Sequence, residues 1–163
     1  MDRRILLQAT AGVTGAGPIS ATPTADDGHP FTGTRVRIAR PTDRLDDVVQ
    51  FYAGALGLPV LRRFHTAGYS GVLLGLPETQ VHLEFTHEEN GSPCPAPTQD
   101  NLLVIYFDDH GKYSQVLEQV KSHGHAPVTP LNPYWAEGRS ETFQDPDGWR
   151  VVLYHGTPVG GGY

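Results

Sequence analysis

The clearest structural signal in the sequence lies near its end, where residues Asp145–Tyr154 read Asp-Pro-Asp-Gly-Trp-Arg-Val-Val-Leu-Tyr. Proline restricts φ and the Asp-Gly pair tolerates positive φ, so the first four residues predict a tight turn. The β-branched and aromatic residues that follow predict a strand. A weaker copy of this turn and strand occupies Leu76–Phe85 in the first half of the chain. One hairpin used twice indicates a duplicated module.

The elements around the first hairpin form one unit. An alternating polar and apolar strand at residues 35–40 precedes a helix whose apolar side chains recur at helical spacing from Leu45 to Leu56, and Gly57 ends that helix. The remaining strands of this unit are predicted at 59–64, 69–74 and 81–86. This order is βαβββ.

The second half repeats the order. A strand at residues 102–107 precedes a helix that Asp109 opens and Gly124 ends, and Pro127 starts a short strand. The closing strands are predicted at 140–143 and 150–154. The sequence therefore predicts an α+β fold of two tandem βαβββ modules. Module one covers about 34–88, a polar, proline-rich connector covers 89–100, and module two covers about 101–156.

Composition and the chain ends limit the classes of function. The net charge of −6 and the lack of any basic run argue against a nucleic-acid partner, which needs clustered Lys and Arg. The single cysteine, Cys94, has no internal partner, which fits a reducing compartment and predicts a cytoplasmic protein. Residues 1–33 lack a hydrophobic period and predict a flexible tail, with a cleavable leader at 1–30 as the alternative. Their short apolar run does not span a membrane. Residues 157–163 predict a frayed end.

The double βαβββ order resembles the glyoxalase/bleomycin-resistance/dioxygenase superfamily, also called the vicinal oxygen chelate fold. The likeness rests on Phe51-Tyr52 and Leu56-Gly57-Leu58 at the helix end and on the Asp-Pro-Asp-Gly hairpin. It covers about residues 34–156. It implies that the modules form a curved mixed sheet around a concave cavity, with helices on the outer face. It also raises a homodimer as a candidate assembly.

Period-two alternation along the strands predicts which side chains face that cavity. Arg37 on the first strand, with His82 and Glu84 on the fourth, should face inward, while Val36, Ile38, Val81, Leu83 and Phe85 face the helix. The corresponding residues of module two that combine size with polarity are Tyr106, Arg150 and Tyr154.

Metal-dependent members of the family hold a divalent ion with four side chains, and the resemblance assigns the four positions here. They fall on Arg37, Glu84, Leu102 or Val104, and Val152. Arginine stays protonated and hydrocarbon side chains have no lone pair, so Glu84 is the single ligand retained. No metal or other cofactor is therefore expected. The alternative is a metal-dependent lyase or dioxygenase that uses His82 and Glu84 with a non-standard third ligand such as His155.

The resemblance and the inward residues together favour a protein that binds a small polar or aromatic molecule. It is either a ligand-binding or resistance protein, or a metal-independent isomerase, lyase or cyclase. Arg37 beside Glu84 is then a polar anchor, with Glu84 or His82 as general base, or simply an ion pair left from a lost site. Tyr134 and Trp135 form an aromatic wall for the ligand or cover the core. A structural or interaction domain with a filled cavity is the remaining alternative.

Overall fold

The computed structural model describes residues 30–136 and 138–158. The chain divides into two compact units, Met1–Thr32 and Gly33–Tyr163, and every element below belongs to the second unit. Most of the predicted tail (residues 1–29) and of the frayed end (residues 159–163) lies outside the described residues.

The order of the elements confirms the α+β class and the two tandem modules. Module one contains β1 (Val36–Pro41), α1 (Leu45–Val49), a π-helical segment (Gln50–Ala55), β2 (Val60–Thr66), β3 (Tyr69–Gly75) and β4 (Val81–Glu88). Module two contains β5 (Leu102–Phe107), α2 (His110–Ser122), a short 3-10 helix (Pro133–Ala136), β6 (Ser140–Gln144) and β7 (Arg150–His155).

The strands form two sheets with the same plan. The first has the order β1-β4-β3-β2 and the second the order β5-β7-β6. In each sheet the first strand of the module lies parallel to its last strand, and the hairpin strands are antiparallel. β1 and β5 are therefore edge strands of their sheets.

Module two lacks one predicted strand. The segment that begins at Pro127 is not a strand, and one backbone hydrogen bond, from Val128 N to Thr142 O at 2.7 Å, joins it to β6. Pro127 and Pro130 carry no N–H group, so this segment cannot continue a hydrogen-bond ladder. The prediction of a short strand from Pro127 is therefore wrong, and the segment is a loop against β6.

The helices begin and end largely as predicted. The Asp109 side chain caps α2 by accepting a hydrogen bond from Lys112 N at 2.7 Å, and Gly57 and Gly124 have φ of 77° and 87°. α1 differs from the prediction because it continues as a π-helix, in which Leu56 N donates to Phe51 O at 3.0 Å. Such wide turns have no simple sequence signal.

One hydrophobic core joins the two modules. This core packs the helices against both sheets. On the first sheet the helices therefore lie on the face opposite to Arg37 and Glu84, as predicted. Its fully buried members include Val48, Phe51, Leu74, Val120, Phe143, Val151 and Leu153. Within residues 30–136 and 138–158, no helix is long and apolar enough to cross a membrane.

Candidate functional site

An ion pair lies on the open face of the first sheet, where alternation predicted it. Arg37 Nη1 donates to Glu84 Oε2 at 2.7 Å, and the two side chains are 53% and 16% exposed. The neighbouring strands β1 and β4 bring them together, because Ala39 is directly opposite Glu84 and Arg37 is two residues before Ala39 on the same face. The pair is thus part of a solvent-accessible surface.

Arg37 and Glu84 line an open groove of about 540 Å³. β2 and β3 contribute the rest of its lining, which consists of Arg62, Phe64, His65, Thr66 and Leu73. The Phe64 ring lies across Gly71, where an added Cβ would come within 2.2 Å of Phe64 Cζ. Gly71 therefore allows the ring to lie flat against the sheet.

Sequence reasoning missed Arg62 and Phe64. β2 reads Val-Leu-Arg-Arg-Phe-His-Thr, which has no strict alternation, and a register shift between Val60 and Arg62 adds to the ambiguity. The available signal was Gly71, since a glycine inside a strand often marks a site of close approach.

The predicted general base His82 lies on the same face as Glu84 but is not among the residues that line the groove. It is directly opposite Arg37 on the adjacent strand and is partly buried. The structure therefore brings Arg37 and Glu84 together in the groove and leaves His82 beside it.

The predicted aromatic residues form a separate group on the second sheet. Tyr106 and Tyr154 have ring centroids 5.4 Å apart, and Trp135 lies 6.0 Å from Tyr154 and 4.8 Å from Tyr134. Tyr134 and Tyr154 line a second open cavity of about 670 Å³, of which the groove residues are not a part. The single predicted cavity is thus divided between the two sheets.

Arg150 occupies a third place. It is 6% exposed, and its Nη1 donates to the carbonyl oxygen of Thr129 at 3.1 Å. Its Nε is buried without a hydrogen-bond partner, as is Thr142 Oγ1 on the strand next to it. The structure does not bring Arg150 into the groove with Arg37 and Glu84.

The four positions that the resemblance assigned to metal ligands do not provide a family-type donor set. Glu84 is bound by Arg37, and Val152 is fully buried among other strands. In the part of the chain that the structure describes, no group of three or more His, Cys, Asp and Glu side chains is placed to hold a metal ion. His155, the suggested third ligand, instead packs with ring-centroid distances of 5.0 Å from His110 and 5.9 Å from Tyr113.

A buried charge cluster joins the modules, and sequence reasoning missed it. Arg40 forms ion pairs with Asp145 and, at 2.6 Å, with Asp147 of the second hairpin turn. Asp145 also accepts hydrogen bonds from Asp147 N and Trp149 N, both at 2.9 Å, and from the Tyr52 hydroxyl at 3.0 Å. The turn identified from its sequence is therefore also the contact between the modules.

The cluster is electrostatically coupled. Burial disfavours the Arg40 cation, but the two aspartates outweigh this effect and raise the pKa of Arg40. Burial raises the pKa of Asp145 above its ordinary value, although Arg40 and the surrounding donors offset part of the rise. Each charge thus depends on the other module for its stability.

Tyr52 predicts a pH dependence of stability. Burial and the nearby Asp145 charge raise the pKa of Tyr52 above its ordinary value of 10.0. Below that pH the phenol is neutral in both the folded and unfolded states and contributes no pH dependence. Above it the unfolded chain ionises and the folded chain does not, so the free energy of unfolding should fall by about 1.4 kcal/mol per pH unit. Urea denaturation of the wild type and of Tyr52→Phe at about pH 9 to 11 measures this dependence. Equal slopes of unfolding free energy against pH in the two proteins would contradict the prediction.

Comparison with known proteins identifies relatives over both modules. The family description "YycE-like N-terminal domain" matches residues 36–86, and "YycE-like C-terminal domain" matches residues 100–155. The chain is 40% identical over 132 residues to the uncharacterized protein YycE of Bacillus subtilis (strain 168), covering 80% of this chain and 94% of that protein.

Solved structures support the same relationship. A Bacillus subtilis YycE protein of unknown function, named as a candidate glyoxalase/fosfomycin resistance protein, matches with a TM-score of 0.72 at 40% identity over 79% of this chain and 94% of that one.

Two more distant structures share the fold. They are the fosfomycin resistance protein FosX of Mesorhizobium loti (TM-score 0.57, 16% identity, 75% and 90% of the two chains) and the antibiotic binding protein TnmS3 of Streptomyces sp. CB03234 (0.55, 19%, 76% and 95%). With the two-module fold and both halves of the family matched, the chain belongs to the YycE-like family of the vicinal oxygen chelate superfamily.

Proposed function

We propose that this protein binds a small organic anion in the groove on the first sheet, and that it does so without the divalent ion used by metal-dependent members of its superfamily. The observation that carries the proposal is the 2.7 Å contact between Arg37 and Glu84. A guanidinium at one metal position binds the carboxylate at another, so an organic cation takes the place of the metal charge.

The charge of the groove favours an anion. Arg37 and Glu84 neutralise each other, whereas Arg62 has no ion-pair partner within 4.0 Å among the described residues. An exposed guanidinium that remains free can form bidentate hydrogen bonds with a carboxylate, sulfonate or phosphonate. Arg62 is therefore the primary anion contact in this proposal, and Arg37 is the second.

The shape of the groove favours an anion with an apolar body. The Phe64 ring and Leu73 provide apolar surface next to the two arginines. The volume of about 540 Å³ lies within the range of about 300–1,000 Å³ that is typical of small-molecule sites. Ligand binding also agrees with the distant structural relatives, among them the antibiotic binding protein TnmS3.

Binding is favoured over catalysis because neither predicted general base is free in the groove. His82 does not line it, and Glu84 is already engaged by Arg37. His65 does line it, with its Nδ1 hydrogen-bonded to Ser70 Oγ at 3.0 Å. Glu84 as the general base of an isomerase, lyase or cyclase stays a prediction. The cytoplasmic location and the homodimer also stay predictions. The half-exposed apolar side chains of Val36 and Ile38 on edge strand β1 are compatible with a dimer contact.

The fluorescent aromatic sulfonate 8-anilinonaphthalene-1-sulfonate (ANS) tests the proposal. It combines an anion with an apolar body, and titration by fluorescence gives its affinity and stoichiometry. Arg62→Gln should weaken binding about tenfold or more, the scale of one lost hydrogen bond between charged groups. Dialysis against EDTA should leave the affinity unchanged.

Arg63→Gln is the matched control. Arg63 is the next residue on β2, is exposed, and lies opposite Val72 on the other face of the sheet. This variant makes the same charge change outside the groove and should bind ANS like the wild type. Equal losses in the Arg62 and Arg63 variants would contradict a specific site. Loss of binding with EDTA and its recovery with zinc would contradict the metal-free proposal.

A further inference from the structure

A smaller cavity lies between the two modules and is distinct from the groove. Its volume is about 170 Å³. Its walls are mostly apolar and come from both modules, and they include Ile38, Leu83, Phe85, Leu102, Leu103 and Trp149. Ile38 belongs to edge strand β1 and Leu102 to edge strand β5, so the cavity is located where the edges of the two sheets approach each other.

Two arginines line this cavity, and only one of them, Arg40, has a counterion among the described residues. Arg40 is neutralised by Asp145 and Asp147, and its guanidinium lies 4.8 Å and 5.2 Å from the ring centroids of Phe85 and Trp149. Arg150 is only 6% exposed, yet no carboxylate in residues 30–136 and 138–158 lies within 4.0 Å of its guanidinium.

Arg150 is therefore a buried cation without a counterion. Its side chain donates one hydrogen bond, to the Thr129 carbonyl, and its Nε donor has no partner among the described residues. A buried charge or donor that is left unpaired costs free energy, so such groups are rare in folded proteins. A carboxylate in the cavity would supply the negative charge that this side chain lacks.

We propose that this cavity binds a small monocarboxylate with an apolar body about the size of benzoate, and that Arg150 holds the carboxylate. An apolar cavity of about 150 Å³ accommodates a benzene ring, so the ring of such a ligand matches the volume here. The two aspartates beside Arg40 add negative charge next to the cavity, which selects against a second carboxylate on the ligand. The site therefore favours benzoate over phthalate.

Removal of the arginine charge should reveal this role. In the absence of ligand, Arg150→Met replaces an uncompensated buried cation by an apolar side chain of similar length. Its melting temperature should equal or exceed that of the wild type, because buried charges are often stabilised by such replacement. Such a result would show that the Arg150 charge does not stabilise the fold.

Isothermal titration calorimetry and thermal shift with benzoate test the proposal. The wild type should bind benzoate with a concentration-dependent rise in melting temperature, and the neutral isostere benzamide should bind at least tenfold more weakly. Arg150→Met should lower the benzoate affinity at least tenfold and keep the ANS affinity of the groove. Arg63→Gln, an equal charge change outside both sites, should bind benzoate like the wild type.

Several outcomes would overturn the proposal. They are no benzoate binding up to about 10 mM, equal affinity for benzoate and benzamide, and equal benzoate affinity in Arg150→Met and the wild type. If Arg150→Met does not fold, Leu102→Trp decides the question, since it fills the cavity and retains the arginine, and unchanged benzoate binding then overturns the proposal. If the wild type does not bind ANS, the groove proposal is wrong and the cavity proposal is unaffected. The two proposals can therefore fail separately.

Discussion

The Arg40→Met variant is expected to lose about 3–5 kcal/mol of unfolding free energy, because it leaves the buried Asp145 carboxylate without its counterion. The Asp145 side chain is 0% exposed, so water cannot replace the arginine. Urea denaturation followed by circular dichroism measures the loss. A loss below about 1 kcal/mol, the range of surface ion pairs, would show that the cluster does not stabilise the fold.

The pH dependence and a double variant separate charge from packing. Without Arg40 the pKa of Asp145 in the folded state rises further above its ordinary value of 3.8. The destabilisation should thus be complete at neutral pH and decrease as the pH falls through the raised pKa, until Asp145 is protonated in both states below pH 3.8. Arg40→Met combined with Asp145→Asn should lose less than the sum of the single changes. An additive, pH-independent loss would indicate packing alone.

The Val152→Glu variant should fail to restore the family's metal site and should lose several kcal/mol of stability. Glutamate is the usual family ligand at this position, but here Val152 is fully buried between Val104 on β5 and Thr142 on β6. An unpaired carboxylate in such a place is strongly destabilising. Urea denaturation with and without zinc measures both effects.

Two variants at the same position distinguish charge from size. Val152→Gln adds the same volume without the charge, and Val152→Leu adds one methylene group. We expect Val152→Leu to be the most stable of the three variants, Val152→Gln the next and Val152→Glu the least. Overpacking costs about 1–3 kcal/mol, and the buried charge of glutamate adds to that cost. A Val152→Glu protein as stable as the wild type that binds stoichiometric zinc would show that a single substitution recovers the chelate.

Most of the fold could be predicted because its signals are local. The Asp-Pro-Asp-Gly turn, the helix-ending Gly57 and Gly124, and the alternation on β1 and β4 each depend on neighbouring residues. The two prolines Pro127 and Pro130 already argued against the strand predicted there. The π-helix after Val49 could not be predicted, since it depends on which hydrogen bonds the surrounding structure leaves available.

The candidate site was predictable only where two adjacent strands carry it. Arg37 and Glu84 follow from alternation and from the order of β1 and β4, and their contact is confirmed. The placement of Arg150, Tyr134 and Trp135 relative to that pair depends on how loop and sheets pack, which the pattern does not encode. Arg40 was missed because its partner Asp145 is 105 residues away, although a charge on the apolar face of β1 was a visible irregularity.

The two copies of the hairpin have different consequences for folding. In the first, the Thr79 hydroxyl closes its own turn, donating to Leu76 O at 2.7 Å and accepting from Val81 N at 3.1 Å. In the second, the carboxylate of Asp145 closes its own turn and also binds side chains from the first half of the chain. The first turn can form alone, whereas the second is complete only when both halves are present. We therefore expect the two halves to unfold together, because Arg40 in one half and Asp145 in the other are each other's counterions.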